Sequence, residues 1–151
     1  MIIRTMTQKD LKSVSAVCLR SFRYSVADTL SLKGAKTFAS VTTPESFADR
    51  MQKDNLMFVA EDGGQPVGVI ELKEGRHIAM FFIEPAYQKQ GIGKKLLAEA
   101  FDHARQEEVT VNASLTSVPA YQRFGFKPNG EISESGGLVY QPMARIVEAQ
   151  L

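Results

Sequence analysis

The chain has 151 residues, 44% hydrophobic and 23% charged, with a formal net charge of +1. This composition fits one compact domain spanning 1–151 and excludes a disordered or fibrous protein, while the balanced charge offers no global field for nucleic acid or an anionic membrane. The lone Cys18 excludes an intramolecular disulfide and a cysteine-built zinc cluster, and its neighbours Val14, Val17 and Leu19 mark it as a packing residue rather than a nucleophile.

Ile2 to Met6 reads as a strand, with Thr7 and Asp10 capping a helix that carries Leu11, Val14, Val17 and Leu19. Met1 to Met6 lacks the apolar run of a signal peptide, and no stretch approaches the ~20 apolar residues needed to span a bilayer, so a reducing, cytoplasmic setting is expected. Tyr24 to Thr42 shows no clear period and suits either a substrate-facing region or a surface connection. Thr43-Pro44-Glu45 then opens a short helix through Met51.

Leu56 to Ala60 and Val67 to Leu72 form a predicted hairpin about the turn Asp62-Gly63-Gly64-Gln65. A further turn at Glu74-Gly75 leads to His77 to Ile83, whose apolar run predicts a central strand buried on both faces and the third of three consecutive antiparallel strands. Pro85 ends it. Ile92, Leu96, Leu97, Ala100, Phe101 and Ala104 then place an apolar stripe on a helix. Val109 to Ala113 is β-prone, Ser117-Val118-Pro119-Ala120 opens another helix, Phe124-Gly125-Phe126 closes it, and Leu138 to Met143 follows Gly136-Gly137 as a last strand. No internal repeat or linker interrupts the chain.

A strand that feeds a glycine turn and then a helix leaves the first helical N–H groups unpaired and converging, which suits an anion. Gly91 and Gly93 permit close backbone approach, and Lys89, Lys94 and Lys95 add local positive charge. The loop is neither a dinucleotide fingerprint, which needs G-x-G-x-x-G, nor a phosphate loop of the G-x-x-x-x-G-K-[ST] type.

Gln88-x-x-Gly91-x-Gly93, after the apolar strand ending Phe81-Phe82-Ile83-Glu84-Pro85, resembles the acyl-CoA loop of the GNAT superfamily of N-acetyltransferases. Asn112-Ala113-Ser114 and Ala120-Tyr121-Gln122-Arg123-Phe124-Gly125-Phe126 resemble that family's second signature. The resemblance covers the whole chain, although only Ile78 to Phe126 carries specific motifs. It implies an α+β fold: a single GNAT-like domain with a mixed, mainly antiparallel central sheet flanked by helices, and acyl-CoA in a splay between the strands bearing Ile83 and Asn112. Acetyl-CoA is the implied co-substrate, with no metal. Phe81, Phe82 and Ile83 would pair with the pantetheine arm by their backbones, the amides of Gln88, Lys89, Gln90, Gly91, Ile92, Gly93 and Lys94 would cradle the pyrophosphate, and Asn112 would bond the arm or the amine.

Acetyl transfer needs an uncharged amine, a polarised carbonyl and a proton for the departing thiolate. The resemblance implies that Tyr121 donates a proton, or a hydrogen bond, to the coenzyme A sulfur. Three residues compete as base: His77, where histone-type members carry a glutamate; Glu71, expected at the sheet's open edge or facing the substrate because it alternates with Val67 and Val69; and Glu84, which reads better as a strand-end residue. His103 is expected on the solvated side of its helix. The expected activity is direct acetyl transfer to a primary amine of a small molecule or protein, the competing one a non-catalytic acyl-CoA sensor. Family members often dimerise, so a homodimer is a family expectation; neither nucleic acid nor membrane is an expected partner.

Overall fold

A computed structural model describes residues 1–25 and 30–148. Eight strands form one sheet in the order β1-β2-β3-β4-β5-β8-β6, with β7 also paired to β8. The strands are β1 (Ile2–Thr5), β2 (Asn55–Asp62), β3 (Gln65–Lys73), β4 (His77–Ile83), β5 (Glu108–Ser114), β6 (Lys127–Pro128), β7 (Ser133–Ser135) and β8 (Leu138–Ile146). The helices are α1 (Leu11–Ser25), α2 (Leu32–Val41), α3 (Pro44–Met51), α4 (Ile92–Phe101) and α5 (Val118–Arg123). Among the described residues, no helix is long and apolar enough to cross a membrane.

Local chemistry accounts for the boundaries. Asp10 Oδ2 accepts from the Thr7 amide at 2.8 Å ahead of α1, and Thr43 Oγ1 accepts from the Ser46 amide at 3.0 Å beside the N1 proline of α3. The hairpin of β2 and β3 turns on Gly63 and Gly64, both at positive φ. Helix α4 stops at Phe101, short of the expected Ala104, yet Ala104 remains fully buried.

The sheet separates two apolar cores. On one face Phe58, Ile70, Leu72, Ile78, Val109, Val111 and Met143 pack with Leu96, Leu97 and Ala100 of α4 and with Tyr121 and Phe126. On the other, Met57, Val59 and Val69 pack with Val14, Cys18 and Phe22 of α1, Phe38 of α2 and Phe47 of α3. Cys18 is fully buried and its thiol is pushed up to about 12, first by burial and then by the nearby Glu71 carboxylate, which suits packing and not nucleophilic work.

The aperiodic stretch from Tyr24 to Thr42 divides, with Tyr24 ending up on α1 and α2 arising from Leu32; positions 26–29 lie outside the described residues. Ser31 caps α2 through its hydroxyl, which accepts from the Gly34 amide at 3.1 Å. A helix-interior glycine and an exposed Leu32 hide the period, but the glycine has a packing reason. A Cβ on Gly34 would meet the Gly137 carbonyl oxygen at 2.5 Å, so α2 lies directly against the β7–β8 turn. Thr37 Oγ1 also donates to the Gly136 carbonyl across that contact.

Two bulges correct the alternation expected from sequence. The β2–β3 register shifts between Ala60 and Glu61, which leaves Val67 opposite no β2 residue and turns it to the α4 core, while Val69 lies in the α1 core. The β3–β4 register shifts between Glu71 and Leu72, so Ala79 is the extra residue in β4. Strand β4 is also not buried on both faces: only Ile78 is fully covered, and the other residues are partly exposed.

Candidate active site

β4 and β5 are parallel neighbours, but their pairing covers only His77↔Thr110 and Ile78↔Val111. Beyond those pairs the strands separate, beginning at the extra residue Ala79. A bulge increases local twist and bends its strand, which carries Phe81 to Ile83 away from Asn112 to Ser114. The partial exposure of β4 follows, because its apolar side chains wall a gap.

Ladder geometry decides which backbone groups enter that gap. Glu84 N donates to Val67 O at 2.7 Å, so alternation along the antiparallel pair commits Phe82 to β3 and turns the N–H and C=O of Phe81 and Ile83 outward. The Ile83 carbonyl accepts from Gln88 Nε2 at 3.0 Å, which ties the glycine turn to the strand end. Of the expected backbone partners of pantetheine, Phe81 therefore has both groups directed into the gap, and Phe82 has them directed to β3.

Gly91 holds φ 83° as the N-cap of α4 and makes no side-chain cap, so the helix begins with bare amides. A Cβ at Gly91 would meet no heavy atom within 4 Å, whereas one at Gly93 would press on Ile83, Phe124 and Phe81 at 3.2–3.3 Å. The first glycine keeps the approach to the amides open and the second lets α4 seat against β4. Lys89 also lies at positive φ, 62°, and Lys89, Lys94 and Lys95 are exposed around the turn. Open amides with exposed lysines beside them fit a pyrophosphate. Among the described residues no cluster of three or more His, Cys, Asp or Glu gathers to hold a metal.

A cavity of about 340 Å³ occupies the splay. His77, Phe81, Phe82, Asn112 and Tyr121 line it, so five of the expected site residues share one space. His77 Nδ1 lies 2.7 Å from Thr110 Oγ1, whose hydroxyl in turn reaches the Arg76 carbonyl at 3.4 Å. If the hydroxyl hydrogen goes to that carbonyl, Nδ1 carries the imidazole proton and Nε2 keeps a free lone pair. Burial first, then Arg76 and Lys73, lowers the His77 pKa below its ordinary value, with Glu74 opposing. The ring is therefore neutral at pH 7.

Tyr121, on the short helix α5, is 9% exposed and packs edge-on to Phe126 with ring centroids 5.5 Å apart. Burial raises its phenol pKa, so it keeps its proton. Glu71 is the clear correction. It is fully buried on the interior strand β3, it does not line the cavity, and its Oε2 accepts from Arg50 Nε at 2.9 Å and Asn55 Nδ2 at 2.7 Å. A carboxylate clamped on the α3 side of the sheet is neither at an open edge nor facing a substrate. Glu84 is held by Arg20 of α1 through two bonds of 2.7 Å, and His103 bonds the Glu99 carbonyl at an exposed position.

Thr110, Ser117 and Tyr140 were not legible as site residues, and Phe38 was covered only by the Tyr24 to Thr42 stretch that suits either a substrate-facing region or a surface connection. Thr110 could have been found by period two from Asn112, but Phe38 and Tyr140 reach the cavity from distant elements.

A sheet split between two parallel strands, with an uncapped helix and glycine turn at its mouth, defines the acyl-CoA-dependent N-acetyltransferase class. The chain belongs to the GNAT acetyltransferase family: the family model described as an acetyltransferase (GNAT) domain matches residues 26–147. It is similar to the uncharacterized N-acetyltransferase YafP of Escherichia coli, 27% identical over 125 residues, 83% of this chain and 80% of that protein. A GCN5-related N-acetyltransferase structure from Rhodopseudomonas palustris shares the fold at a TM-score of 0.85 and 23% identity, covering 97% of this chain and 95% of that one. The PaiA N-acetyltransferase of Thermoplasma acidophilum, solved with coenzyme A, superposes at a TM-score of 0.76 and 21% identity, covering 96% of this chain and 98% of that one.

Proposed function

We propose that this N-acetyltransferase moves the acetyl group of acetyl-CoA directly to a primary amine, with His77 as base and Tyr121 as acid. The observation that carries this reading is the single cavity, opened by the Ala79 bulge, that both side chains line. The coenzyme A bound by the Thermoplasma relative supports the donor, as do the open amides at Gly91.

The Phe81 amide is the proposed partner of the donor arm, and the first amides of α4 and the flanking lysines receive its phosphates. His77 takes the proton of the acceptor ammonium, directly or through water. The amine nitrogen then forms a C–N bond to the thioester carbon, the C–S bond breaks, the Tyr121 hydroxyl gives its proton to the leaving sulfur, and the second proton shed by the nitrogen returns through water to the Tyr121 oxygen. Asn112 lies at the cavity wall beside this chemistry and is a proposed hydrogen-bond partner for the arm or the amine.

Tyr121→Phe tests the assignment. It should lower kcat by about a hundredfold, the lower end expected for a general acid, with acetyl-CoA affinity within twofold of wild type. Unchanged thiol release across pH would remove Tyr121 from the acid role, and acetyl-CoA binding without turnover on any amine would identify a sensor.

The pH profile carries a second test. Because the His77 pKa is lowered, its neutral form persists into mildly acid solution, and the acid limb of kcat/KM should have its midpoint below the ordinary value of 6.5. His77→Gln should remove that limb. A limb unchanged in the variant would assign the base elsewhere.

A further inference from the structure

Resting on the transferase reading above, we infer that the acceptor is a primary amine carried on an uncharged, apolar, ring-bearing body, selected by the cavity wall beneath α2. The cavity is two-sided. Asn112, Ser114, Ser117 and Tyr121 gather on the β5 and α5 side, while Phe22, Phe38, Phe82, Val41 and Leu138 form a hydrocarbon wall on the α1 and α2 side. Phe22 and Phe38 stack with centroids 3.8 Å apart at 5°, and Phe82 meets Phe38 edge-on at 5.3 Å and 72°.

That wall has little to offer a charged group. Thr37, the hydroxyl-bearing lining residue beside Phe38, already donates to the Gly136 carbonyl. The described residues lining the cavity include no Asp, Glu, Lys or Arg. Apart from contact with Ser135 and Tyr140, which also line the cavity, a second ammonium, as in a polyamine, or the carboxylate of an amino acid would leave water against carbon on this wall, weakening binding on the order of a hundredfold or more. Apolar surroundings also disfavour the acceptor's ammonium form, which assists the deprotonation that transfer requires.

Position reinforces the selection. The rings of Met80's neighbour Phe82 and of Phe38 belong to the α1-side core, the face toward which Thr110 and its partner His77 also turn, opposite to Val109 and Val111. An amine directed at His77 thus lays its body along the aromatic wall. Ring contact with the partly exposed Phe82 and with the nearly buried Phe22–Phe38 stack favours an aromatic body, because aromatic contact adds to the area buried.

The test measures thiol release from acetyl-CoA by the full chain with n-alkylamines from propyl to hexyl, 2-phenylethylamine, spermidine, phenylalanine and a lysine peptide. Expected is a kcat/KM that rises about fourfold per methylene, is greatest for 2-phenylethylamine, and is at least ~100-fold lower for spermidine and phenylalanine. Phe38→Leu, which stays apolar, should lower 2-phenylethylamine turnover roughly fivefold relative to hexylamine without altering acetyl-CoA binding. Leu138→Asp should reverse the preference toward spermidine; if it fails to fold, Phe38→Leu still decides. A flat alkylamine series, or preference for spermidine or the peptide, overturns the inference and leaves the transferase standing. No release with any amine by a folded, acetyl-CoA-binding protein overturns both.

Discussion

Gly91→Glu is expected to eliminate acyl-CoA binding while the protein still folds. The new side chain has room, since nothing lies within 4 Å of the Cβ position, so loss of binding would not come from a broken core. Its carboxylate would stand beside the bare amides at the start of α4, where the donor's phosphates are proposed to sit. Two like charges ~4 Å apart at an effective dielectric near 20 repel by ~4 kcal/mol, on the order of a thousandfold in affinity. Gly91→Ala separates charge from backbone strain: at φ 83° it meets the left-handed penalty of ~1 kcal/mol but adds no charge. Calorimetric titration with acetyl-CoA distinguishes the cases. Binding by the glutamate variant within tenfold of wild type would move the pyrophosphate away from this turn.

Glu71→Ala should cause the largest loss of stability. Glu71 is fully buried and takes hydrogen bonds from Arg50 and Asn55. Arg50 Nη1 also donates to the Val41 carbonyl at 2.8 Å, so the same guanidinium holds the end of α2, a helix that lines the cavity. Removing the carboxylate strands a cation whose side chain is only 21% exposed. Loss of one partner of such a pair costs about 3 kcal/mol, which corresponds in a domain of this size to a Tm drop on the order of 10 °C. Arg50→Met combined with Glu71→Met should be less destabilised than Glu71→Ala, because it removes both charges and refills the volume. Thermal denaturation of the variants decides the matter; equal losses would mean that the pair contributes packing and not charge compensation. A merely catalytic Glu71 would instead cost turnover at unchanged Tm.

The sites legible in the sequence are those with local requirements. The hairpin about Gly63-Gly64 was readable because its turn needs positive φ at adjacent positions, and both glycines adopt it. The Gln88 to Gly93 motif was readable for the same kind of reason, since a helix start that must stay open tolerates few residues. Helix α2 was not readable, because Gly34 interrupts its pattern to seat against Gly137, about a hundred positions away in the chain, while Phe38 packs on Phe22 and Phe82 from other elements. Glu71 misled for a related reason. Period two assigns it to a strand face but says nothing of what covers that face, and the answer is Arg50, brought in by α3.

The proposed donor half was legible in the sequence because the glycine turn and the helix behind it are contiguous segments whose backbone geometry follows from their own residues, with the tyrosine in a local motif downstream. The proposed acceptor wall, in contrast, emerges from packing between distant elements. The Ala79 bulge opens the sheet beside His77, two bulges reset which side chains share a face, and α1, α2 and β8 converge on the gap to make its apolar wall. Register and convergence are properties of strands and helices paired across long sequence separations, so they are set by the packing of the whole core and are invisible in any one segment.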